Sequence, residues 1–221
     1  RYFMDHRILQ LMHRAFEVIP TPAMLPVEAA AHVVRGNKLS TQGLLNITNA
    51  MEGHPDNLAP AFFGGLTASM VDNGLPVAVS FPLHPDWEIL ALVPDFDMPT
   101  AKARAVLPQQ VSRADAIYNI AHGALVLKAL ELGDEKLLRN AMQDRLHQPY
   151  RKHMIGDYEA IEELVRTTGA AFCLSGAGPT LLCITRDKSL QEKLTKKLPA
   201  IAERSWQIMP LHVEFEGARV L

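Results

Sequence analysis

A chain of 221 residues with 48% hydrophobic residues and a formal charge of −2 can bury a sizeable core, as one large domain or two small ones. The near-balanced charge and the lack of a basic stripe leave no electrostatic footprint for nucleic acid. No apolar run reaches the length of a membrane-spanning helix, and no secretory signal pattern opens the chain.

The chain begins at Arg1, without a Met, inside an amphipathic segment, which points to something missing upstream. Arg7–Val18 places apolar residues at helical spacing, and Pro20, Pro22 and Pro26 then interrupt regular structure. Ala29–Val34 reads as helix, and Ser40-Thr41 as the cap of a further helix over Gln42–Met51. Leu66–Val71 and Pro76–Phe81 flank Asp72-Asn73-Gly74, a hairpin signal, and Trp87–Pro94 reads as a buried strand.

After Thr100 the pattern turns helical. Ala116–Leu132 carries Ile117, Ile120, Ala121, Ala124, Leu125 and Leu127 toward one side. Gly133 and Asp134 read as the stop of that helix and the cap of the next, Glu135–Leu146. Tyr158–Thr168 is a further helix. Ala170–Ser175 and Thr180–Thr185 read as strands around a glycine loop, Ser189–Leu198 as an amphipathic helix and Ile208–Phe215 as a closing strand. Strands and helices interleave without strict βαβ alternation, which favours an α+β fold. Cys173 and Cys183 sit in apolar strand-like runs, without a CxxC or clustered His, and read as a buried reduced pair.

Four short runs could carry chemistry. In Leu174–Thr180 (LSGAGPT), glycines permit close backbone approach, and successive N–H groups can form an anion nest; a tight inter-strand turn explains it equally. Glu52–Asn57 (EGHPDN) gathers His54, Asp56 and Asn57 around a stiffening proline; Asx residues also simply end helices. In Thr100–Pro108 (TAKARAVLP), Arg104 could present a fork to a carboxylate or phosphate, or be a solvated cation. In His147–Arg151 (HQPYR), Arg151 has the same two readings at a helix end.

Taken in order, these four runs resemble the homoserine kinase family of the GHMP small-molecule kinases, from about Ala29 to the C-terminus. The glycine loop marks only the superfamily; EGHPDN and the two arginine runs point to the homoserine branch. The resemblance implies ATP- and Mg²⁺-dependent phosphorylation of the side-chain hydroxyl of L-homoserine in threonine biosynthesis. It implies that His54, Asp56, Asn57, Thr100, Arg104 and Arg151 bind homoserine, with the arginines on its α-carboxylate. Ser175, Gly176, Ala177 and Gly178 would brace the substrate and phosphate region. Glu52 is the one carboxylate near the expected Mg²⁺ position; Asn46, upstream, is an amide and cannot serve as one. No general base is assigned.

The implied fold is the two-domain GHMP kinase fold. An N-terminal half like ribosomal S5 domain 2, incomplete here, would cover 1–90, and a ferredoxin-like C-terminal half 91–221, with the boundary near Pro85–Pro99. A cytoplasmic enzyme is expected, and dimers are common in the family. The family's N-terminal Pro-Ala-Thr segment and its Gly-Leu-Gly-Ser-Ser ATP loop, which would fall between Pro20 and Ala29, have no counterpart. Two alternatives follow: another GHMP kinase, or a non-catalytic amino-acid-binding relative without the nucleotide loop.

Overall fold

The computed structural model describes residues 40–218. The expected helices at Arg7–Val18 and Ala29–Val34, and the Pro20–Ala29 stretch, lie outside the described residues. Two compact units are present: 40–82 together with 213–218, and 83–212. The division therefore falls before β3 rather than after residue 90, because β3 is hydrogen-bonded to strands of the second unit.

In the first unit, α1 (Thr41–Glu52) starts where the Ser40 hydroxyl accepts from Gly43 N at 3.2 Å. It stops at Gly53, whose left-handed φ of 87° lets its N–H reach Asn49 O. The short α2 (Leu58–Phe63) follows. Leu45, Leu58 and Phe62 form the small core, with Leu44, Phe63 and Ala78 against it. β1 (Leu66–Asp72) and β2 (Leu75–Phe81) pair antiparallel through the Asn73-Gly74 turn, both residues at positive φ. Residues beyond 212 fold back here: Gly65 N donates to Glu214 O at 2.7 Å and Ala218 N to Ala61 O at 2.9 Å.

In the second unit, β3 (Glu88–Pro94) leads through α3 (Thr100–Ala105), α4 (Arg113–Leu132), α5 (Glu135–Ala141), α6 (Gln148–Arg151) and α7 (Tyr158–Thr168) to β4 (Ala171–Leu174). β5 (Leu181–Thr185), α8 (Leu190–Lys197) and β6 (Trp206–Leu211) complete it. The sheet order is β4-β5-β3-β6, with every neighbouring pair antiparallel. Two β-α-β halves with this strand order make the ferredoxin-like arrangement. Its core joins Leu90 and Leu92 of β3, Leu181 and Cys183 of β5, Ile161 and Val165 of α7, and Leu190 and Leu194 of α8. No helix among the described residues is long and apolar enough to cross a membrane. Cys173 and Cys183 are both free, Cys183 buried and Cys173 half-buried.

Three elements differ from the sequence reading. On α4, Ile117, Ile120 and Leu125 are exposed, and the helix is buried at Ala129 and Leu130 instead. There the Leu130 carbonyl accepts from His84 N and Trp87 Nε1. α5 ends at Ala141, not Leu146, because Asp144 captures the next backbone N–H groups and starts a new helix. β6 spans Trp206–Leu211 because its partner β3 sets the limits: Pro94 pairs with Trp206 and Ile89 with Leu211.

Candidate active site

The expected site residues fall into two sets, one in each unit. In the first unit, the left-handed Gly53 ends α1 and turns the chain into His54. His54 Nδ1 lies 2.5 Å from Asp56 Oδ1, and the same oxygen accepts Asn57 N at 3.0 Å. A carboxylate only accepts, so the proton of this contact belongs to Nδ1, and Nε2 of the neutral ring is the acceptor. Pro55 is buried and its carbonyl accepts Ala59 N, which fixes the turn against α2. Asn57 stands at the start of α2, but its side chain makes no capping bond. The helix-end reading therefore covers only part of this turn: the chain stops α1 with Gly53 and leaves Asn57 out of capping.

Glu52 is the last residue of α1 and half-buried. Among the described residues, no group of three or more His, Cys, Asp or Glu side chains is placed to hold a metal ion. Asn46, one to two turns earlier, has its amide oxygen engaged by Gln42 Nε2 at 2.9 Å. The described residues thus do not make up a Mg²⁺ site by themselves.

In the second unit, Thr100 opens α3, and Arg104 lies one turn later; both are exposed. Arg151, the last residue of α6, is 9% exposed. Its Nε donates to Ala103 O at 3.0 Å, and its Nη1 donates to Gly176 O at 3.1 Å. One guanidinium thereby ties the helix carrying Arg104 to the glycine loop. The surface-cation reading does not hold for Arg151. Burial, and then the nearby Arg104, push its pKa below the ordinary arginine value, with Asp144 opposing. It stays charged, as arginines do.

The glycine loop closes on itself: Ser175 N donates to Thr180 O, and Gly178 N to Ser175 O, both at 2.9 Å. Gly176 and Gly178 sit at φ 56° and 81°. A Cβ at Gly178 would lie 2.8 Å from Met98 Cε and 2.9 Å from Leu174 Cδ2, so the loop is tightly packed there, whereas the space beside Gly176 is open. The amides of Gly176 and Ala177 take no part in this closure. The turn reading and the ligand-loop reading are therefore compatible: a tight turn holds two further N–H groups in place.

Sequence reasoning missed Asp144, Asn119 and Gln148. Asp144 accepts His147 N at 2.7 Å and Gln148 N at 2.6 Å, and Asn119 Nδ2 at 2.5 Å. Gln148 Oε1 accepts Leu174 N at 2.9 Å, just before the glycine loop. The readable signal was an aspartate shortly before a proline in the first helical turn, a helix-start pattern. Burial raises the Asp144 pKa, but its hydrogen bonds from His147 N, Asn119 and Gln148 N carry it below the ordinary carboxylate value.

Residues 126–203 match the family model of the GHMP kinases C terminal. The homoserine kinase of Crocosphaera subtropica is 39% identical over 193 residues, covering 86% of this chain and 63% of that protein. The homoserine kinase of Nostoc punctiforme is 38% identical, with 86% and 64% covered. A crystal structure of homoserine kinase from Cytophaga hutchinsonii superposes with a TM-score of 0.75 at 22% identity, covering 87% of this chain and 65% of that one. The chain is thus similar to the GHMP kinases, in sequence over residues 126–203 and in fold. The relatives just described are homoserine kinases, and the chain spans a little under two thirds of their length.

Proposed function

We propose that this chain acts in the ATP-dependent phosphorylation of the side-chain hydroxyl of L-homoserine, giving O-phospho-L-homoserine on the route to threonine. The observation that carries the reading is the Arg151 corner. Arg151 is buried and bonded both to the glycine loop and to the carbonyl of Ala103, the residue before Arg104. A carboxylate pairs with guanidinium groups through charge-assisted hydrogen bonds. In this reading Arg104 and Arg151 hold the α-carboxylate, with Thr100 beside them, while His54, Asp56 and Asn57 supply acceptors and donors to the amino acid. Ser175, Gly176, Ala177 and Gly178 steady the reacting end.

Phosphoryl transfer asks mostly for alignment and charge stabilisation, which suits a site of fixed hydrogen bonds without an assigned base. ATP is the proposed co-substrate. Mg²⁺ would arrive with it and neutralise phosphate charge, and Glu52 would supply at most one ligand. A cytoplasmic location and a homodimer belong to the same proposal.

An ADP-release assay on the full-length protein with homoserine, serine and mevalonate tests it. Homoserine is expected to give by far the highest kcat/KM. Equal turnover of all three would reject the homoserine reading in favour of a less specific GHMP kinase. Homoserine binding without ADP release would instead favour a non-catalytic relative.

A further inference from the structure

Helix α6 has only four residues, and a single turn does not hold itself in water. Yet it carries the two side chains that fix the corner, Gln148 and Arg151. What holds α6 is Asp144. Its side chain is 8% exposed. Oδ1 accepts Asn119 Nδ2 at 2.5 Å and Leu146 N at 3.2 Å; Oδ2 accepts His147 N at 2.7 Å and Gln148 N at 2.6 Å. Asn119, on α4, uses its own oxygen to accept Arg145 N at 2.9 Å. A charged carboxylate facing the first N–H groups of a helix is favoured by charge-assisted bonding and by the helix dipole.

The next links run outward from this clamp. Gln148 Oε1 takes Leu174 N at the mouth of the glycine loop, and Arg151 takes Ala103 O and Gly176 O. The Nδ1 of His147 lies 3.4 Å from Arg151 Nη1 as an acceptor, so its Nε2 carries the hydrogen in the neutral ring, on the side facing Asp144 Oδ1 at 3.9 Å.

We infer that Asp144, braced by Asn119, is a positioning residue that sets the place of Arg151 and, through Gln148, of the glycine loop, without touching substrate. This rests on the reading of Arg151 as a carboxylate holder. A neutral Asn at 144 keeps one acceptor and turns the other toward the helix N–H groups as a donor. α6 then shifts, and Arg151 leaves its place.

The same unit supplies a control. Asp157 is also buried, 5% exposed, and also binds backbone: it accepts Glu203 N at 2.8 Å, Arg204 N at 3.1 Å and Trp206 Nε1 at 2.8 Å. None of these partners belongs to the Arg151 corner. In the full-length enzyme, Asp144→Asn is expected to raise the homoserine KM about tenfold or more, since small misplacements of a gripping group are costly, and to leave the ATP KM within about twofold. Asn119→Ala should do the same more weakly and keeps the test open if Asp144→Asn folds poorly. Asp157→Asn should lower the thermal midpoint with homoserine KM unchanged.

The proposal is overturned if Asp144→Asn and Asp157→Asn move the homoserine KM alike. It is also overturned if Asp144→Asn and Asn119→Ala leave it unchanged while Arg151→Ala raises it. If Arg151→Ala itself leaves homoserine KM unchanged, the reading of Arg151 falls, and this inference with it.

Discussion

The His54 turn and the Arg151 corner both gather polar side chains, but they are held by opposite means. His54, Asp56 and Asn57 bond to one another within three residues, on an exposed turn stiffened by Pro55. Arg151 is buried and bonds to carbonyls 48 and 25 residues away in the chain. A local grip is inexpensive to form and easily relaxed. A grip built from distant segments exists only once the unit has folded, and losing it disturbs everything tied to it.

Substitutions can break or sharpen this contrast. The largest expected effect is that of Arg151→Ala. It leaves the buried Ala103 carbonyl without its donor and unties the carbonyl of the exposed Gly176, at a cost of about 2–3 kcal/mol. Urea unfolding measures it, and a loss no larger than that of an exposed substitution would erase the contrast. Next comes Gly178→Ala. The left-handed φ and the crowding by Met98 and Leu174 predict about 1–3 kcal/mol of strain, read as a lowered thermal midpoint. Asp56→Ala removes an exposed contact to His54 and should cost under about 1 kcal/mol; a larger loss would mean that the turn is more than local.

The smallest effect is one of pH. Burial holds the His147 pKa below its ordinary 6.5, Arg151 adds to this, and Asp144 opposes it. Below 6.5 the unfolded chain takes up a proton that the folded ring resists. The contribution of the neutral ring is thus whole above pH 6.5 and is lost as pH falls from there through the folded-state value. His147→Gln should flatten this limb of the stability profile, measured by unfolding at stepped pH. An unaltered limb would show that His147 is not its source.

The same contrast explains what could be read in advance. The Ser40 cap, the Asn73-Gly74 hairpin and the glycine loop are statements about neighbours in sequence, and all stand in the structure. The His54–Asp56 contact is of that kind. The burial of Arg151 is not, because nothing near residue 151 names Ala103 or Gly176. On α4, the apolar residues spread around too much of the helix for periodicity to pick the buried side. Past Leu211, apolar residues continue to alternate at Val213 and Phe215, so only the end of β3 shows where β6 must stop.

The return of residues 213–218 to the first unit bears on the order of folding during synthesis. Chains emerge N-terminus first, and domains usually fold as they appear. Here the second unit is continuous in sequence and can close as soon as residue 212 is out. The first cannot. Its backbone bonds to Glu214 and Ala218, and the close fit of Gly64 against Gly217, wait for the later residues. Residues 40–82 are thus made before the second unit but completed only after it, once residues 213–218 have emerged.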